Sequence, residues 1–106
     1  MNNRIYPRHI FEKEIDEYKK KFIEKDKKYY VYIIECGDRT YYTGYTADII
    51  HRFLLHINGK GAKYTRGRMP LELVYMEEYP IKSEAMKRVY RIKKLTHIQK
   101  MDLINA

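Results

Sequence analysis

Between Tyr29 and Thr46 the chain reads YYVYIIECGDRTYYTGYT, two runs of aromatic and β-branched residues divided by the turn signal Gly37 to Thr40. Side chains of this kind pack well on a pleated surface and lose rotamer freedom on a helix. Gly-Asp between two such runs is turn chemistry. The stretch therefore predicts a β-hairpin with strands over Tyr29 to Cys36 and Tyr41 to Gly44. An isolated hairpin is marginal in water, so the remaining chain has to supply another strand or covering helices.

The pattern after the hairpin supplies both. A helix is expected over Ala47 to Asn58, capped by Thr46 and stopped by Gly59, with Ile50, Phe53, Leu54 and Ile57 on its apolar face. A basic loop, Gly59 to Pro70, leads to a third strand over Leu71 to Glu78. Ser83 is the expected cap of a helix running to about Leu95, and the Thr96 to Gln99 stretch THIQ is a capping box for a short last helix. Ahead of the hairpin, residues 1–28 read as an extension with one helix from about Arg8 to Lys27. Its Phe11, Ile15, Tyr18 and Phe22 share a face that would dock on the domain or pair with another chain. The expected fold is α/β in the α+β sense, a three-stranded antiparallel sheet flanked by helices, with domains at 1–28 and 29–106.

Charge narrows the partners. With 22 Lys and Arg against 14 Asp and Glu, the chain carries a formal +8, a field that attracts polyanions. The excess lies in GKGAKYTRGR, Gly59 to Arg68, and KRVYRIKK, Lys87 to Lys94, neither of which contains an acid. The longest apolar run, Tyr29 to Ile34, is far short of the ~20 residues that cross a bilayer, so no membrane partner is expected. One cysteine, Cys36, permits no internal disulfide, and the cytoplasm is the expected compartment.

Two strand tyrosines, Tyr32 and Tyr42, and the Arg52 and His56 of the following helix are the candidates for chemistry. A phenol beside a cation can accept a proton from an attacking water, and an arginine fork suits a phosphate and the charge that builds on it. Arg52 and His56 are four residues apart and share a helix face. Read alone, these four residues also fit ordinary strand packing and an exposed helix edge.

In order, YVY on the first strand, YTG on the second and Arg52 to His56 on the helix resemble the GIY-YIG endonuclease superfamily. GKGAKYTRGRMPLELVYMEEY and SEAMKRVYRIKKLT extend the likeness over about Tyr29 to Ile104. The resemblance implies cleavage of DNA phosphodiester bonds with one divalent metal, Mg²⁺ or Mn²⁺, in a setting such as DNA repair. It implies Tyr32 as general base or water-orienting phenol, Tyr42 as its helper, Arg52 on the phosphate, His56 in the supporting helix position and Gly44 at the turn into the helix. The metal-binding glutamate of the family, within a pattern SEALxxEYxIKK, falls on Val89. Glu84 would point elsewhere on the helix, and Glu77 or Glu78 could approach only from the third strand. Lys60, Lys63, Tyr64, Arg66 and Arg68 are the expected nucleic-acid contacts, with Tyr64 as a stacking ring. Three expectations follow: an active nuclease, a degenerate DNA- or RNA-binding module, or an interaction protein acting through residues 8–27.

Overall fold

The hairpin forms as expected and becomes the middle and one edge of a sheet. Strand β1 is Tyr29–Glu35, β2 is Tyr41–Thr46 and β3 is Glu72–Tyr79. The order is β2-β1-β3 and both pairings are antiparallel. This is a computed structural model, and it describes residues 28–106. The expected N-terminal helix, with its apolar face and its proposed pairing role, lies outside the described residues.

Because β1 is central, both of its faces are covered, and alternation sorts its side chains into two cores. Tyr30, Tyr32 and Ile34 point to one face, where Ile49, Ile50 and Phe53 of helix α1 (Ile49–Ile57) pack with Leu71, Leu73 and Met76. Val31 and Ile33 point to the other, against Ala85, Val89 and Ile92 of α2 (Lys82–Lys93) and Ile104 of α3 (His97–Asn105). A register shift between Ile33 and Ile34 in the β1–β3 pairing bends the sheet.

Three local expectations need correction. Helix α1 is capped by Asp48, whose Oδ1 accepts from the His51 amide at 3.0 Å, and Thr46 instead closes a small turn by accepting from the Asp48 amide. Its buried face is Ile49, Ile50, Phe53 and His56, with Leu54 and Ile57 only partly covered. The stripe is thus rotated by roughly half of a residue's 100° toward His56. Helix α2 begins one residue before Ser83, with Ile81 in the cap position; its side chain has no acceptor to cap with, and its carbonyl accepts from the amides of Glu84 and Ala85. The Thr96 to Gln99 capping box is present as read.

Candidate active site

Tyr32 and Gly44 face each other across the β1–β2 pairing. A Cβ at position 44 would stand 2.7 Å from the Tyr32 Oη and 2.9 Å from its Cζ. The missing side chain is therefore the space in which the Tyr32 ring lies. Gly44 was expected to turn the chain into the helix; it sits instead inside β2, and its role is this close approach.

Laid over Gly44, the Tyr32 ring reaches the helix. Its Oη is 3.1 Å from His56 Nε2, and both side chains are about 1% exposed. On the other side of the imidazole, Nδ1 is 2.8 Å from Thr65 Oγ1, and that hydroxyl donates to the Ala62 carbonyl at 3.0 Å. The loop comes this close because residue 61 is glycine: a Cβ there would overlap the imidazole, at 2.7 Å from Cγ and nearer still to Nδ1.

Tyr42, on the exposed edge strand, completes the group. Its ring centroid is 5.1 Å from that of His56 and 6.2 Å from that of Tyr32. The Arg52 guanidinium acts on both phenols, and Tyr32 in particular holds its charge more firmly in place. Burial dominates the proton equilibria: it pushes the Tyr32 phenol up to about 12, against the opposing pull of Arg52. Burial, aided by the Arg52 charge, pushes His56 down to about 4. At neutral pH the site therefore holds a protonated phenol, a neutral imidazole and one fixed cation.

The basic loop leads up to this group. Tyr64, in the short 3-10 turn Lys63–Thr65, is 41% exposed and its ring is 6.0 Å from that of Tyr42. Arg68 stands over the Tyr64 ring at 4.5 Å and pairs with Asp38 of the hairpin turn, while its carbonyl accepts from the Gly37 amide. Lys60, Lys63 and Arg66 are exposed on the same loop. So Tyr32, Tyr42, Arg52 and His56 converge, with Tyr64 and Arg68 beside them. Sequence alone marks Gly61 only as a place where the backbone can come close to a partner, and it does not mark Thr65. The signal for them was a glycine and a hydroxyl within ten residues of a helix-end histidine.

The chain has relatives among known proteins. The family model described as the GIY-YIG catalytic domain matches residues 28–102. The chain belongs to the GIY-YIG family. Within that family, a UPF0213 protein of Oceanobacillus iheyensis is 52% identical over 79 residues, covering 74% of this chain and 92% of that one. One from Halobacterium salinarum is 57% identical over 72 residues, covering 68% of this chain and 94% of the other. Among solved structures, a protein from Enterococcus faecalis determined by solution NMR is 38% identical with a TM-score of 0.56, covering 77% of this chain and 88% of that one. The domain is thus of nuclease type, and GIY-YIG nucleases are generally metal-dependent.

The residues present do not fit a protein-held divalent metal, which needs carboxylate or other oxygen ligands. Val89 is 8% exposed and packs in the apolar cluster with Val31 and Ile33. Glu84 is exposed in the first turn of α2. Glu77 is buried, but its carboxylate already accepts from Arg88, Tyr75 and Tyr79. Glu78 stands across from Tyr30 with Oε1 3.5 Å from that hydroxyl. Among the described residues, no three His, Cys, Asp or Glu side chains form a metal-holding group. The one buried side-chain polar atom found without a partner among them, Thr43 Oγ1, is a neutral hydroxyl.

Proposed function

We propose that this chain is a GIY-YIG-type endonuclease domain acting on DNA phosphodiester bonds, with its proton-handling residues intact and its metal anchor replaced by Val89. The observation that carries the reading is the Tyr32 hydroxyl 3.1 Å from His56 Nε2, with the Tyr42 ring beside both and the Arg52 charge acting on the two phenols. Tyr32 orients a water for attack and takes a proton from it as the phenolic proton passes to His56 Nε2, which spares the cost of a free phenolate, while the P–O bond to the departing nucleotide breaks and its alkoxide takes a proton from solvent. Arg52 binds the phosphate and offsets the charge that builds on its oxygens. The same phosphate screens Arg52 from His56, so an imidazole that resists protonation in the free protein accepts it more readily with substrate bound. Lys60, Lys63, Arg66 and Arg68 hold the backbone, and Tyr64 offers a ring to a base.

Cleavage of branched, flapped and duplex DNA, with and without Mg²⁺ or Mn²⁺, tests this reading. The natural chain is expected to cut slowly, with a loss on the order of 10²-fold in Tyr32→Phe and in Arg52→Ala. Val89→Glu is expected to cut faster with Mn²⁺, and its melting temperature should rise with Mn²⁺ where that of the natural chain does not. Salt-sensitive binding with no cleavage by the natural chain would instead support a second reading, a degenerate binding module, which the apolar burial of Val89 favours. Failure to bind any nucleic acid at low salt would overturn both.

A further inference from the structure

The proton path proposed above works in one direction only if His56 keeps Nε2 free of hydrogen, and a histidine ring carries that choice in whatever its other nitrogen does. Three contacts lie in series: Tyr32 Oη to His56 Nε2 at 3.1 Å, His56 Nδ1 to Thr65 Oγ1 at 2.8 Å, and Thr65 Oγ1 to the Ala62 carbonyl at 3.0 Å. A carbonyl can only accept. If the Thr65 hydroxyl spends its one hydrogen there, its oxygen faces Nδ1 as an acceptor, Nδ1 carries the imidazole hydrogen, and Nε2 is left to accept from Tyr32. One proton then serves each contact. The opposite assignment, Nε2–H toward Tyr32, requires the Thr65 hydrogen to point at Nδ1. That leaves two lone-pair oxygens facing each other at 3.0 Å in a place with almost no access to water, since Thr65 is 1% exposed.

We infer that Thr65 is a positioning residue, which holds His56 in the Nδ1–H tautomer and so makes Nε2 the acceptor for the Tyr32 proton. Gly61 belongs to the same device, because only a residue without a side chain lets the loop bring Thr65 up to the ring. The inference deepens the nuclease reading, yet the tautomer itself is a property of the free protein.

Two measurements separate the two claims. Long-range ¹H–¹⁵N NMR on the free chain, with His56 assigned against His9, His51 and His97 variants, reads the tautomer directly. The expected pattern is a protonated Nδ1 and an unprotonated Nε2. Thr65→Val, which keeps the shape and loses the hydroxyl, should shift His56 toward Nε2–H, and Thr65→Ser should restore the natural pattern. A natural chain in the Nε2–H form, or a Thr65→Val chain with unchanged His56 shifts, would overturn the inference. If Thr65→Val fails to fold, Thr65→Ser and the natural chain still decide it, since both must show Nδ1–H. In the cleavage assay, Thr65→Val should lower kcat on the order of 10²-fold with little change in KM, and Thr65→Ser should recover it. Absence of cleavage in every chain would sink the nuclease reading while leaving the tautomer result standing.

Discussion

The two faces of the sheet bury polar groups in opposite ways. Beneath α1, Tyr32, His56 and Thr65 are linked by single hydrogen bonds, and the chain of contacts opens toward the partly exposed Arg52 and Tyr42. Beneath α2, Glu77 takes hydrogens from Arg88 Nε at 2.8 Å and Nη2 at 2.9 Å, from the Tyr79 hydroxyl at 2.6 Å and from Tyr75. A carboxylate has about four acceptor sites, and here they are filled from within the protein. A saturated cluster has no capacity left for a ligand. The open one does, because the partly exposed Tyr42 phenol and Arg52 guanidinium at its mouth can still meet a water and a phosphate. Of these two buried polar groups, then, the one with a formal ion pair is structural and the neutral, stretched one is the candidate for chemistry.

The largest effect expected from breaking this contrast is Glu77→Gln. It strips Arg88 of its counter-charge and leaves phenolic donors facing an amide that is itself half donor. Removing one member of a buried pair costs about 3 to 5 kcal/mol, and the lower end applies because the Arg88 side chain is 29% exposed. Urea denaturation should show that loss, while the His56 NMR signals stay where they are. A shift of the His56 signals in Glu77→Gln would mean that the faces are coupled and the contrast is false.

Acid should separate the faces next. His56 is held near 4 in the folded chain against an ordinary value near 6.5. The unfolded chain therefore binds the extra proton between those values, and stability rises with pH through that window. The contribution is fully present above about pH 6.5 and is lost as pH falls toward 4, on the order of 3 kcal/mol in all. Burial works against the ionised Glu77, but Arg88 and the two phenols outweigh it and hold its carboxyl below the usual range. Its contribution is present above the ordinary carboxylate value and is lost only below it. Stability measured from pH 7 to pH 3 should thus fall in two stages, the first absent in His56→Gln and the second reduced in Glu77→Gln. A single stage common to both variants would refute this assignment.

Much of this arrangement was legible in residue order. The hairpin, the third strand and the grouping of Tyr32, Tyr42, Arg52 and His56 follow from period-two and helical spacing together with the ordered motifs. What escaped was contact between segments whose meeting depends on loop shape. Gly61 reads in sequence as backbone freedom and acts in the fold as empty space beside an imidazole. Thr65 reads as a small polar loop residue and is buried against His56. Glu77 and Arg88, 11 residues apart on a strand and a helix, read as a carboxylate that could approach the metal position and as part of a basic run, and they form a buried pair. His56 reads in sequence as part of an exposed helix edge beside the apolar stripe. The stripe turned toward it because Tyr32 and Thr65 offer both ring nitrogens partners that Leu54 has no use for.

The smallest effects probe the same contrast through the helix caps. Asp48 caps α1 with one accepted bond from the His51 amide, and Thr96 caps α3 by accepting from the Gln99 amide at 3.1 Å while the Gln99 side chain returns a bond to the Thr96 amide. Replacing either cap residue with alanine should cost about 1 kcal/mol. Asp48 also places a negative charge at a helix start, so its loss should sit slightly higher and fade with added salt. The functional readouts should differ far more than the stabilities do. Helix α1 carries Arg52 and His56, so fraying its first turn in Asp48→Ala should perturb the Arg52 guanidinium and slow cleavage. Helix α3 buries Ile104 in the cluster on the opposite face of the sheet, so Thr96→Ala should lose a similar stability and keep its cleavage rate. Matched losses of rate in both variants would show that cleavage tracks global stability and not the open face, and the division drawn between the two sides of the sheet would have to be given up.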